Sequence, residues 1–197
     1  MGYNMRPFKG EKFIEEYGYL LDYFEDRRVV ESKGRKIVVK GLIGQLMGEE
    51  RFTLLEFKLN DDASYEELER IYIGRGERYK ALRFIRYINY EDLTYKSRES
   101  LPKAIEKSIL INEEKWVNFF NRAGLITPRT HSLELLSLIG RKTAQKILEE
   151  REKEYFKSFE DIRERVRIDP VRAIAERVLT ELKGECTHYL FVKKRVF

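Results

Sequence analysis

Apolar spacing divides the chain in two. Through about residue 95, the apolar positions fall in short dense runs broken by Gly, Asp, Asn and charge clusters, which is the pattern of strands and turns. "YGYLLDYF" (17–24), "KIVVKGLIGQLM" (36–47), "RFTLLEFKLN" (51–60), "ERIYIGRGER" (69–78) and "LRFIRYINYEDL" (82–93) predict five strands. In "RFIRYINY", Phe84, Ile85, Tyr87, Ile88 and Tyr90 are too dense for clean alternation, which predicts a bulge or a strand covered on both faces. Between the third and fourth runs, "DDASYEELER" (61–70) predicts a short helical turn, with Asp62 or Ser64 as its cap.

From residue 96 the spacing turns helical. "LPKAIEKSIL" has Ser100 as a cap and Pro102 in its first turn. "EEKWVNFFNRAG" has Asn112 as a cap, Glu113 and Glu114 at the positive end, and Gly124 as a stop. Trp116, Phe119 and Phe120 read as core. "HSLELLSLIG", "RKTAQKILEEREKEY", "SFEDIRERV" and "DPVRAIAERVLTELKG" continue the helical pattern, and "THYLFVKKRVF" alternates like a final strand. The predicted class is α+β. An OB-fold-like β-barrel domain covers 1–95, a helical domain 96–186, and a C-terminal strand 187–197. An SH3-like barrel fits the strand count nearly as well.

Residues 133–152, "LELLSLIGRKTAQKILEERE", resemble a helix-hairpin-helix motif. Ile139 and Gly140 match the end of its hairpin, Ala144 the small residue that lets two helices pack closely, and Ile147 and Leu148 the apolar face. The first N–H groups of a helix lack intrahelical partners and the helix dipole favours negative charge there, so such a turn binds phosphate. Gly140 allows close approach, with Arg141, Lys142 and Thr143 adding contacts. Leu138 replaces the motif's first glycine, and because leucine disfavours positive φ the turn is expected to be reshaped. A degenerate second copy spans 162–182. Aligning "IGRKTAQKIL" with "IDPVRAIAERV" sets Ile139 over Ile168, Gly140 over Asp169 and Ala144 over Ala173, 29 residues apart. Asp169 repels phosphate there, so this copy reads as structural, with Arg167 and Arg172 at its edge.

A second candidate is "GRGER" (74–78), where Gly74 and Gly76 would offer bare backbone and Arg75 and Arg78 cations to a phosphodiester chain. A tight surface turn with solvated arginines explains it equally well. Tyr72, Tyr79, Tyr87 and Tyr90 are stacking candidates. Arg122, Arg129 and His131 extend the basic side of the motif, although a solvated loop is the simpler account of His131.

Composition sharpens this picture. The chain has 197 residues, 37% of them charged, and one Cys, a pattern of heat-adapted proteins with ion-pair networks. The net charge of +5 is uneven: residues 1–95 hold 17 Lys+Arg against 18 Asp+Glu, leaving 22 against 16 in 96–197. A basic C-terminal half favours a polyanionic partner. No apolar run reaches the roughly 20 residues of a membrane span, and the N-terminus lacks the apolar core of a secretory signal. Cys186 has no partner for an internal disulfide, which points to the cytoplasm. His131 and His188 are far apart, no CxxC, HExxH, GxSxG or Walker A pattern occurs, and "NDD" (60–62), Asp161 and Asp169 read as turn and cap residues. No catalysis, metal or cofactor is expected.

At the level of the whole chain, "IYIGRGER", "FFNRAGLITPRTHSLELLSLIG" and "FKSFEDIRERV" resemble an archaeal family, domain of unknown function 655. The resemblance implies an OB-like barrel joined to a helix-hairpin-helix region and a nucleic-acid-binding role, tilted toward RNA or ribosome-linked work. The same domain order is similar to a bacterial Holliday-junction recognition protein. The expected function is therefore a non-catalytic protein that contacts the backbone of RNA or DNA. A protein-interaction module docking on ribosomal or transcription proteins and a branched-DNA-binding repair factor are the alternatives.

Overall fold

The computed structural model describes residues 15–32 and 35–193. Its sheet comprises β1 (Tyr17–Ser32), β2 (Arg35–Gly48), β3 (Leu54–Leu59), β4 (Arg70–Tyr72) and β5 (Ala81–Tyr87), in the order β4-β1-β2-β3-β5 with every pairing antiparallel. Cα atoms of β1 and β5 approach within 8 Å. Three strand spacings would separate these strands by roughly 14 Å in a flat sheet, so the sheet curls into a half-barrel. Phe24, Val39, Ile43 and Ile85 meet inside the curl.

The same side holds a buried carboxylate. Glu56 on β3 accepts hydrogen bonds from Arg28 of β1 at 3.1 Å, Arg86 of β5 at 2.9 Å and Gln45 of β2 at 3.3 Å. Burial pushes the Glu56 carboxyl upward, but these donors outweigh it and hold it below the ordinary value of 4.5. A charge drawn from four strands fastens the curl.

Strand lengths differ from the sequence expectation. β1 runs on to Ser32 through charged positions, β4 contracts to three residues, and β5 stops at Tyr87, before a 3-10 turn at Tyr90–Asp92. The expected bulge is present: opposite β3 the register passes from Arg86 to Phe84, skipping Ile85. Residues 61–69 form turns and irregular backbone, not a helix, and Arg70 already belongs to β4. Asn60 Oδ1 accepts the Asp62 N–H, and the Tyr65 hydroxyl donates to the Asn60 carbonyl, so side chains hold the segment.

The helical layer comprises α1 (Tyr95–Ile111), α2 (Glu113–Arg122), α3 (Arg141–Lys153), α4 (Phe159–Val166) and α5 (Pro170–Leu182), with a small hairpin of β6 (Leu125–Thr127) and β7 (Thr130–His131). Asn112 stands at the expected position before α2 but makes no side-chain capping bond; its amide nitrogen donates to the Ser108 carbonyl instead. α1 starts a turn and a half before the predicted Ser100, because Thr94 Oγ1 accepts the Ser97 N–H at 3.0 Å and makes the cap. Ser100 is instead buried and donates to Glu67, while Pro102 lies inside the helix.

A continuous apolar cluster joins Tyr19, Leu21, Met47 and Leu54 of the sheet to Leu101 and Ile105 of α1, Trp116 and Phe120 of α2, and Ile174 of α5. The boundary expected at 95/96 therefore crosses a shared core. Polar bonds run alongside it: Gln45 donates to the Asp92 carbonyl and accepts the Thr94 N–H, both at 2.9 Å, and Thr94 donates to Asp22 at 2.8 Å.

The tail shows another difference. Thr187–Lys193 forms no strand, and the last four residues of the expected strand lie outside the described residues. Glu181 of α5, fully buried, accepts the N–H groups of Leu190, Phe191 and Val192 at 2.7–2.9 Å and Arg177 Nε at 2.8 Å. Arg177 also donates to the His188 carbonyl. The strapped tail sets Phe191 edge-on against Trp116, with ring centroids 5.0 Å apart.

The Glu56 node gives the fold a predictable acid response. A carboxyl whose folded value lies below 4.5 contributes stability above that pH and loses it as pH falls through the folded value. Glu56→Gln should cost about 2 kcal/mol at pH 7, because Arg28 and Arg86 lose their shared anion, and the gap to wild type should close below pH 4. Urea unfolding across pH 3–7 measures both effects.

Candidate functional site

The segment before α3 departs from the expected helix-turn-helix. The first helix contracts to a 3-10 turn at Ser132–Leu135. His131 caps it, its Nδ1 accepting the Leu133 N–H at 3.1 Å, so this histidine is buried and not a solvated loop residue. Burial, reinforced by Arg151 nearby, pushes its pKa down.

Leu138 adopts the left-handed conformation, φ +69°, with its side chain 54% exposed. So little side-chain burial offsets a conformation that costs a non-glycine residue about 1–2 kcal/mol. Ile139 is buried beneath it, and Gly140, with extended backbone, begins α3.

A related arrangement recurs 29 residues later. Arg167 takes φ +68°, Ile168 packs against the core, and Asp169 precedes α5 with extended backbone. α3 and α5 both have 13 residues, and Ala144 and Ala173 are both buried. The two stretches share the left-handed residue and the following isoleucine, while ψ at the residue before the helix differs, 176° at Gly140 and 103° at Asp169.

The two helix starts differ in chemistry. Asp169 Oδ1 accepts the N–H groups of Val171 and Arg172 at 3.1 and 3.2 Å, so a carboxylate occupies the positive end of α5. The equivalent donors on α3 are the N–H groups of Lys142 and Thr143. Gly140 has no side chain to reach them, and α3 has no side-chain cap among the described residues. A Cβ built on Gly140 meets no atom within 4 Å, so the approach is open. Arg141 stands 3.6 Å from Glu134 with its side chain 90% exposed, an ion pair of little energetic weight. Lys142 is exposed and Thr143 half-buried.

The other predicted residues lie elsewhere. Gly74, Arg75, Gly76 and Arg78 form the loop between β4 and β5, on the sheet. Its glycines answer to Tyr72: a Cβ at Gly74 would lie 2.7 Å, and at Gly76 2.9 Å, from the Tyr72 hydroxyl, which also accepts the Gly76 N–H. The Gly74 N–H donates to the Glu16 carbonyl. The backbone of Gly74 and Gly76 is thereby engaged in packing, leaving Arg75, exposed, and Arg78, 5.7 Å from the Phe57 ring, as the loop's cations. Tyr79 is 69% exposed, whereas Tyr90 is covered by Arg98 and Lys183. Arg129 sits in the β6–β7 turn.

Among the described residues, no three His, Cys, Asp or Glu side chains stand close enough together to hold a metal ion, and no helix is long and apolar enough to cross a membrane. Asp61 accepts from Lys58 and the Leu42 N–H, and Asp161 from Arg165 and the Lys157 N–H, as turn and cap residues do.

A curled antiparallel five-stranded sheet sharing its core with a layer of five helices among the described residues defines an α+β protein. The chain belongs to the family described as "Protein of unknown function (DUF655)", whose model matches residues 14–193. It is 40% identical over 187 residues to uncharacterised protein MJ0038 of Methanocaldococcus jannaschii, covering 94% of this chain and 82% of that protein. It is also similar to the crystal structure of Af1531 from Archaeoglobus fulgidus, at 38% identity and a TM-score of 0.78, covering 91% of this chain and all of that one.

If the left-handed turn is a strained feature of both copies, relieving it should stabilise the fold. Leu138→Gly and Arg167→Gly should each raise stability by roughly 0.5–1 kcal/mol, the released strain exceeding the extra glycine entropy. Leu138→Val should lower it. Guanidinium unfolding midpoints give the sign in each case.

Proposed function

We propose that this is a non-catalytic nucleic-acid-binding protein that grips the phosphate backbone through a helix-hairpin-helix at Leu138–Thr143. The observation that carries the proposal is the contrast between the two helix starts. Two helices start after a left-handed residue and an isoleucine; where an aspartate stands, the helix end is neutralised from within, and where glycine stands, no side chain caps the helix and the space beside the glycine, next to Arg141 and Lys142, is open. The Asp169 carboxylate marks where an oxyanion sits on this backbone, so a phosphate oxygen at the first copy would take the N–H groups of Lys142 and Thr143. Such contacts position a nucleic acid without reading its bases.

Two further features support the reading. The half-barrel, open between β4 and β5, fits the partly open barrel of the OB class. Tyr79 offers an exposed ring beside Arg78 at that opening, suited to base stacking.

Gly140→Asp is the decisive variant because it copies Asp169. It should raise stability by roughly 0.5 kcal/mol through capping while removing most of the affinity for short RNA and DNA strands. Lys142→Ala should lower the slope of log K against log salt by about 1. A wild-type chain that binds no nucleic acid at low salt would end the proposal, and partners retained after nuclease treatment would then favour docking on ribosomal or transcription proteins.

A further inference from the structure

The β1–β2 hairpin outgrows the sheet that carries it. The last pair between β2 and β3 is Ile43↔Lys58, and β4 pairs with β1 only at Tyr17–Tyr19. Eight registered pairs, from Glu25↔Leu42 to Ser32↔Arg35, continue with no third strand among the described residues. At about 3.3 Å per residue, this two-stranded ribbon is roughly 26 Å long.

Its two faces differ. On one, Arg28 is tied to Glu56 and Val39 is buried against Ile43 and Ile85, so the barrel holds the ribbon rigidly by its lower half. On the other, Arg27 stands directly opposite Lys40 and Val29 directly opposite Val38. Val29 and Val38 are 61% and 49% exposed, and Arg27 and Lys40 are exposed too. Two like charges in register oppose pairing, and neither has an ion-pair partner among the described residues. The pair is an unfavourable arrangement that an external anion would relieve. The register places Lys36, Glu25 and Glu31 on this same face, so it carries three cations against two carboxylates, within a hairpin (residues 24–41) that holds six Lys+Arg against three Asp+Glu.

We propose that this ribbon is a second nucleic-acid contact, laid by its exposed face into the major groove of a B-form DNA duplex. A two-stranded antiparallel ribbon fits that groove, about 12 Å wide. The deep, narrow major groove of an RNA helix excludes it. Arg27 and Lys40 meet phosphates, and Val29 and Val38 meet the groove floor, where thymine methyl groups supply apolar contact. The proposal rests on the nucleic-acid-binding reading above but on different residues, and it names double-stranded DNA as the ligand.

The test is fluorescence anisotropy of the full chain with a labelled 20-base-pair DNA duplex, the matching RNA duplex and the single strands, over a range of salt. Arg27→Ala/Lys40→Ala should weaken the DNA duplex about tenfold near 0.1 M salt and lower its salt slope by about 2, leaving the single strands unchanged. Val29→Ser/Val38→Ser should weaken the DNA duplex with the slope intact. All four positions are exposed, so a cooperative thermal transition at an unchanged or, for Arg27→Ala/Lys40→Ala, slightly raised midpoint verifies folding. Duplex binding that depends on Lys142 but not on Arg27 and Lys40 overturns the ribbon proposal alone. Dependence on the ribbon but not on Lys142 overturns the hairpin reading alone. RNA duplex bound as tightly as DNA, through the same residues, overturns the groove assignment.

Discussion

Sheet and helices are held in fixed register by the carboxamide of Gln45. Its nitrogen donates to the Asp92 carbonyl and to Glu56, and its oxygen accepts the Thr94 N–H, so both ends of a buried amide are in use. Thr94 is also the cap of α1 and a donor to Asp22 on β1. The charge cluster that fastens the curl and the start of the first helix are thus one bonded unit. A slip of one residue in β2 would carry Gln45 to the opposite face, leaving the Thr94 N–H and the Glu56 network short of a partner. The same slip would turn the buried Ile43 and Met47 to the opposite face, so the amide and the apolar core specify one register together.

In the helical layer a left-handed residue followed by an isoleucine precedes two helices that are capped differently. Leu138 and Arg167 hold nearly the same positive φ although neither is glycine, so the demand comes from packing the following isoleucine and seating the next helix. The copies diverge at Gly140 and Asp169, where a side chain decides whether the helix end is closed or open.

Much of this was legible in the sequence, because apolar spacing reports burial directly. The five strand cores, the bulge at Ile85, the aromatic core of α2 and the 29-residue repeat all follow from it. What escaped prediction depends on polar or backbone interactions that leave no apolar trace. Residues 95–100, "YKSRES", carry no helical apolar stripe, so α1 seemed to start late; a threonine hydroxyl and tertiary packing start it. The charged stretch after Phe24 reads as a turn, yet cross-strand pairing extends β1 by eight residues. "HSLELLSL" has helical spacing but ends at a left-handed residue, leaving room only for a 3-10 turn. The alternation in "THYLFV" reflects packing of a strapped segment on α2 and α5, not a ladder. At Gly74 and Gly76, glycine answers to the neighbouring Tyr72 ring, a contact invisible in a one-dimensional string.

The strap at Glu181 has an optical consequence. Trp116 is the chain's one tryptophan, and Phe191, held by that carboxylate through its own backbone, rests edge-on against the indole. Release of the tail would uncover the indole to water before the rest of the core opens. Emission from Trp116 therefore serves as an intrinsic gauge of tail docking, separable from the ellipticity of the helices, and distinguishes local fraying from global unfolding without any added label.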